Sequence, residues 1–245
     1  MTPLTEVNVD CFVGTSGYSY KEWKGSFYPE DLSPKKMLAY YGERLNAVEI
    51  NNTFYRLPNV SVLENWADQV PDSFRFSIKA SRRITHFTRL KDTSQEPTEY
   101  LLSTVQSLGE RLGVLLFQLP PNLKVDTERL ASFLEYLPEG TPAAFEFRHE
   151  TWKDPEVYDL LRSRDMAFVC ADHDESEDDE PIVHTAPWGY LRLRRPSYQD
   201  ADLERWAHHV TAQEWDRAFV FFKHEDEGAG PRMAAHFEAI RGAGS

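Results

Sequence analysis

Ala47-Val48-Glu49-Ile50-Asn51-Asn52-Thr53-Phe54-Tyr55-Arg56 begins as a buried parallel strand and ends as a polar loop. Side chains alternate across a strand, so Val48 and Ile50 share one face while Glu49 and Asn51 share the other. A parallel strand covered on both faces should be a nearly unbroken apolar run, yet this one carries a carboxylate in its middle. Burying a carboxylate is costly unless it is paired or put to use. The stretch therefore predicts an α/β sheet with a polar interior at one end.

Outward from that strand the pattern repeats. Short apolar runs occupy 11–15, 47–51, 74–79, 113–118, 143–148, 166–171, 188–194 and 218–223, and most gaps hold a helical pattern: 34–45, 60–69, 98–111, 127–136, 155–164, 201–215 and 231–241. Ser33 before Pro34, Asp126, and Asp154 before Pro155 mark helix starts. Eight strand–helix units in a chain of 245 residues predict one α/β domain spanning 1–245, a single (β/α)8 TIM-type barrel. The acidic run 172–181, ending at Pro181, predicts a solvated loop where the sixth helix would stand, so that helix is missing or reduced. The long loops 14–29 and 86–97 follow the first and third strands and belong at the C-terminal mouth.

Alternation then predicts which side chains face the barrel axis. On the third strand they are Arg75, Ser77 and Lys79; on the fifth, Glu146 and Arg148; on the seventh, Tyr190, Arg192 and Arg194. Gln118, Asp172 and Lys223 close the fourth, sixth and eighth strands. Six cations thus accompany three carboxylates inside a protein whose net charge is -13. Arg75, at the start of its strand, is expected to be structural. A buried surplus of positive charge needs a counter-ion, and Arg offers the forked donors that phosphate and carboxylate prefer. The expected partner is a small anionic ligand, bound without metal or cofactor. Glu49, Lys79 and Glu146 are the catalytic candidates, Lys79 because an amine among other cations loses its proton more readily. Ser16, Asn51, Tyr55, His86, Gln118, Arg148, Arg192 and Lys223 are the substrate-binding candidates.

Competing chemistries are weaker. Glu49, Glu146, Asp172, His173, His86 and His224 are suitable metal-ligand types, but metal sites gather carboxylate and imidazole rather than Arg and Lys. Gly14-Thr15-Ser16-Gly17 lacks the last glycine of a G-x-S-x-G elbow, since Tyr18 follows; its glycines suit a tight turn. Gly228-Ala229-Gly230 could seat a phosphate, but Glu225, Asp226 and Glu227 precede it. Tyr18, Tyr20, Trp23, Phe27, Tyr28, Phe54 and Tyr55 either stack on a sugar or base or pack a loop over the rim. The acidic total disfavours nucleic acid as a partner and argues against anionic membrane. No secretory pattern opens the chain, no apolar run suits a membrane span, and Cys11 and Cys170 sit in strand-like runs as reduced thiols would, so the expected location is the cytoplasm. A nucleic-acid-processing protein and a non-catalytic anion sensor are the alternatives to an enzyme, whether hydrolase, lyase or isomerase.

Gly14-Thr15-Ser16-Gly17-Tyr18-Ser19-Tyr20 with Trp23, Gly25 and Phe27-Tyr28-Pro29 resembles the opening block of the YecE-like family, domain of unknown function 72. Further matching blocks are Val48-Glu49-Ile50-Asn51 through Phe54-Tyr55-Arg56-Leu57-Pro58, Phe76-Ser77-Ile78-Lys79 with Thr85-His86, Leu115 through Gln118-Leu119-Pro120-Pro121, and Glu146-Phe147-Arg148 with Trp152. The resemblance implies a TIM barrel similar to the xylose-isomerase and endonuclease IV group, and carries no particular reaction. Many members have an Asn-Asn-Asp segment after the last strand, where this chain has Lys223-His224-Glu225-Asp226.

Overall fold

The computed structural model describes residues 9–56, 58–172, 181–224 and 226–243. Among them are the strands β1 (Asp10–Ser16), β2 (Ala47–Ile50), β3 (Arg75–Lys79), β4 (Leu112–Gln118), β5 (Ala143–Glu146), β6 (Ala167–Phe168), β7 (Cys170–Asp172), β8 (Trp188–Leu193) and β9 (Arg217–Phe222). The helices are α1 (Met37–Gly42), α2 (Val60–Ala67), α3 (Gln95–Val105), α4 (Thr127–Leu134), α5 (Pro155–Arg162), α6 (Asp200–Thr211) and α7 (Ala229–Ala243). Every strand pairing is parallel, in the order β6-β5-β4-β3-β2-β1-β9-β8-β7. The two end strands are separated in the chain only by Val169, so the sheet curls into a nearly closed, TIM-like barrel.

Nine strands stand where eight were expected, because the run 166–171 is broken at Val169. The Thr185 hydroxyl accepts from the Phe168 amide at 2.7 Å and donates to the Met166 carbonyl at 2.8 Å, occupying backbone groups that a neighbouring strand would otherwise use. Among the described residues no helix lies between β7 and β8; residues 173–180 of the acidic run lie outside them. No helix is long and apolar enough to cross a membrane among the described residues.

Two apolar layers follow from the alternation. Val48, Ile50, Phe76, Ile78, Phe117, Phe145, Leu191 and Leu193 meet the helices. Phe12, Val114, Leu116, Ala144, Ala167, Ala171, Tyr190, Phe219 and Phe221 fill the hollow. Large rings from β1, β8 and β9, with Phe12 stacked on Phe219 at 5.0 Å, fill space that the alanines of β5 to β7 leave. Volume is shared unevenly around the wall, as dense packing permits. Asp172 corrects the expected inward set. Val169 and Ala171 face the hollow, so Asp172 points outward, accepting from Arg195 Nε at 2.9 Å and Tyr198 Oη at 2.8 Å.

The loop after β1 packs rather than projects. Trp23 and Tyr28 are fully buried, Tyr20 Oη donates to the Ser16 carbonyl at 2.7 Å, and Tyr28 Oη donates to the Tyr18 carbonyl at 2.6 Å. Gly17 turns this loop with φ 99°, in the region that favours glycine. Gly14 is required for another reason. A Cβ there would lie 1.8 Å from the Ala47 carbonyl oxygen and 2.9 Å from Tyr41 Oη. Tyr41 Oη itself joins β1 to β2, accepting from the Thr15 amide at 2.9 Å and donating to the Ala47 carbonyl at 2.9 Å. Gly14→Ala should therefore force β1 from β2 and cost about 2–3 kcal/mol or more. Urea unfolding measures it, and a near-neutral result would mean that this junction is not tight.

Candidate functional site

Arg192 on β8 is the hub of the barrel mouth. Only 1% exposed, it donates from Nη2 to Glu49 Oε1 at 2.7 Å and from Nη1 to Glu146 Oε2. It thus ties β2 and β5 across the hollow. Glu49 Oε1 also accepts from Ser16 Oγ at 2.8 Å and Asn51 Nδ2 at 3.1 Å, and Oε2 accepts from Tyr190 Oη at 2.8 Å. Tyr190 Oη in turn lies 2.6 Å from Ser77 Oγ. Glu146 Oε2 accepts from Gln118 Nε2 at 2.8 Å; its Oε1 accepts from Arg148 Nε at 3.2 Å and lies 3.5 Å from Arg194 Nη1.

Burial works to raise both carboxyls, and the neighbouring cations, Arg192 first, outweigh it and hold them below the ordinary carboxylate range. Burial alone would lower Arg192, but Glu146 and Glu49 keep it firmly protonated. Depressed carboxylates stabilise the fold fully above about 4.5, the ordinary value, and that stability fades as pH falls through their lower folded values. Urea unfolding from pH 7 down to pH 2 should show this loss, with a shallower slope for Glu146→Gln. Equal slopes would contradict the assignment.

Lys79 closes β3 and stands apart from this ionic knot. It is 8% exposed, and Nζ lies 4.6 Å from the centroid of the Phe54 ring. Among the described residues its amine has no hydrogen bond or ion pair, while its carbonyl accepts from Thr53 Oγ1 at 2.7 Å. Burial, and then Arg192, lower it from 10.5 to about 8, against the smaller opposing pull of Glu49 and Glu146. The His86 ring packs edge-on against Phe54 at 4.8 Å, and its Nδ1 lies 2.9 Å from Thr85 Oγ1. Burial, then Lys79 and Arg148, depress the imidazole, which is therefore neutral at pH 7. Arg194 is lowered by burial and Arg192. Nε of Arg192 and Nε of Arg194 are both buried with no hydrogen-bond partner among the described residues.

The structure thus brings Ser16, Glu49, Asn51, Lys79, His86, Gln118, Glu146, Arg148 and Arg192 to one end of the barrel. Tyr55 is 69% exposed on the rim beside Phe54, and Lys223 is exposed beyond β9. Four cations (Lys79, Arg148, Arg192 and Arg194) surround two carboxylates, an excess of two. Arg75 sits at the opposite end, donating to the Asp72 and Phe74 carbonyls. Arg194, Tyr190 and Phe54 belong to the site but were absent from the candidates drawn from sequence. Alternation put Arg194 and Tyr190 on the correct face, whereas nothing in the sequence put the Phe54 ring beneath the Lys79 amine. Among the described residues no three His, Cys, Asp or Glu side chains gather as metal ligands.

The chain is 26% identical over 184 residues to UPF0759 protein YunF of Bacillus subtilis, covering 70% of this chain and 64% of that protein. It is 34% identical over 113 residues to UPF0759 protein YecE of Escherichia coli, covering 46% of this chain and 41% of that one. It therefore spans under two thirds of the length of either relative. A solved DUF72 family protein from Thermotoga maritima superposes with TM-score 0.80 at 28% identity, covering 94% of this chain and 98% of that one. A second, from Enterococcus faecalis, superposes with TM-score 0.79 at 18% identity, covering 95% of each chain and sharing the fold. Residues 12–244 match the family described as "Protein of unknown function DUF72", and the chain belongs to that family.

Proposed function

We propose that the barrel mouth is the active site of a metal-independent enzyme acting on a small anionic substrate, phosphorylated or carboxylated. The observation that carries this reading is the division of charge. Glu49 and Glu146 are both bound by Arg192, and Glu146 also by Arg148 and Arg194, which leaves Lys79 without an ion pair among the described residues. A cationic excess in a desolvated hollow favours an incoming anion. The unpartnered Nε groups of Arg192 and Arg194 add donors that a phosphate or carboxylate oxygen would satisfy.

In this arrangement Arg148 and Arg194 hold the anion, Lys79 is the reacting side chain, and Glu49 and Glu146 keep Arg192 aimed across the hollow. Calorimetric titration with inorganic phosphate, sulfate and small hydroxy and oxo acids tests it. At least one should bind, and Arg194→Ala should weaken that binding by about tenfold, or about 1.4 kcal/mol. No binding by any of them would overturn the reading.

A second reading has one observation in its favour. Arg82 lies between two exposed rings on the rim, 5.5 Å from the centroid of Tyr55 and 5.2 Å from that of Phe87, an arrangement that suits stacked bases. The net charge of -13 opposes it. Salt-sensitive binding of single-stranded DNA, lost in Arg82→Ala, would establish it.

A further inference from the structure

We propose that Lys79 is a nucleophilic amine that condenses with the carbonyl of a small 2-oxo acid to form an imine. This rests on the reading of the mouth as an anion site and adds the covalent chemistry performed there.

The position of the amine carries the inference. A lysine engaged in a salt bridge keeps its proton and has no lone pair to offer. The Lys79 amine has neither an ion pair nor a hydrogen bond among the described residues, and it rests 4.6 Å from the centroid of the Phe54 ring. The two carboxylates that act on it are committed elsewhere, to Arg192, Ser16, Tyr190 and Gln118. Burial and the neighbouring guanidiniums also lower its pKa to about 8, so an appreciable fraction is neutral near pH 7.5. Arg194, one of these, and Arg148 define the substrate class. In a 2-oxo acid the carboxylate carbon adjoins the carbonyl carbon, so an acid gripped by Arg148 or Arg194 presents its carbonyl one bond away.

The step balances without oxidant or reductant. The neutral amine nitrogen attacks the carbonyl carbon, a C–N bond forms, and the carbonyl π pair moves onto oxygen. One proton passes from nitrogen to that oxygen, giving a carbinolamine. After a second proton arrives from solvent, the C–O bond breaks, water leaves, and the nitrogen lone pair completes the C=N bond of a protonated imine.

The test is reductive trapping. The full chain is incubated with pyruvate or glyoxylate and cyanoborohydride, and adducts are located by peptide mass spectrometry. The expected result is one reduced adduct on Lys79. It should form faster as pH rises through about 8, compete with inorganic phosphate, and slow by about tenfold in Arg194→Ala. Lys79→Arg, checked for folding by near-ultraviolet circular dichroism, should give no adduct while still binding phosphate. Phosphate binding without trapping would reject the imine and leave the anion site standing, whereas absence of both would reject both. Adducts on surface lysines alone, with none on Lys79, would also overturn the proposal. So would a Lys79 adduct indifferent to phosphate and to Arg194→Ala, because the amine would then react without recognising a carboxylate.

Discussion

Arg192→Met should destabilise the protein by about 3–5 kcal/mol at pH 7, and by much less near pH 4.5. Glu49 is fully buried, and its only ion pair at 4.0 Å or less among the described residues is with Arg192. Methionine fills much of the same volume but leaves that carboxylate with neutral donors only, from Ser16, Asn51 and Tyr190. Glu146 suffers less, since Arg148 and Arg194 remain beside it. The pH dependence should reverse. In the wild type, depressed carboxyls favour the fold above their ordinary range. In the variant, only Lys79 and neutral donors such as Ser16 still oppose burial at Glu49, so its carboxyl should rise, and the stability of the variant should fall as pH rises through that raised value. Paired urea curves at pH 7 and pH 4.5 test this. A variant as stable as the wild type at pH 7 would mean that the knot is not the structural tie between β2, β5 and β8.

Lys79→Met should do the opposite to the fold and still damage the site. Anion binding should weaken by about tenfold or more, while stability at pH 7 rises by about 1–3 kcal/mol. The sign follows from linkage. The folded amine titrates at about 8 against 10.5 for an ordinary lysine, so between these values the folded state binds fewer protons than the unfolded one. The penalty for the buried charge is therefore full below about 8 and fades as pH rises toward 10.5. Methionine removes the charge, so the gain should be largest at pH 7 and shrink by pH 10. A destabilised variant would show that Lys79 is a structural partner instead. A gain in stability with loss of binding is expected where a site holds an uncompensated charge for use.

Most of the barrel was legible because β-strand alternation is a local property. Glu49, Lys79, Glu146 and Arg192 could be assigned to the inner face from their neighbours alone, and the helix starts at Asp126 and Asp154 follow from side chains that accept from Arg129 N and Glu156 N. Asp172 was misplaced because the break at Val169 ends the regular run, so its position at the end of the run gave the wrong face. The knot itself was not legible. Whether Arg192 reaches both Glu49 and Glu146 depends on barrel diameter and stagger, which are set by every strand at once. The same limit hid how the charge divides. Sequence showed a cationic excess but not that Arg192 would bind both carboxylates, with Arg148 and Arg194 sharing Glu146 and Lys79 left without an ion pair among the described residues. Lys223 was an ordinary alternation candidate, and it emerges into solvent because β9 stops at Phe222.

The most direct measurement is the titration of the Lys79 amine by NMR on isotope-labelled lysine, with and without inorganic phosphate. Without phosphate the resonance should titrate near 8, and with phosphate its midpoint should move upward as the anion stabilises the charged form. A resonance that titrates like those of exposed lysines and ignores phosphate would contradict the claim that this barrel holds an uncompensated cation for a negatively charged substrate.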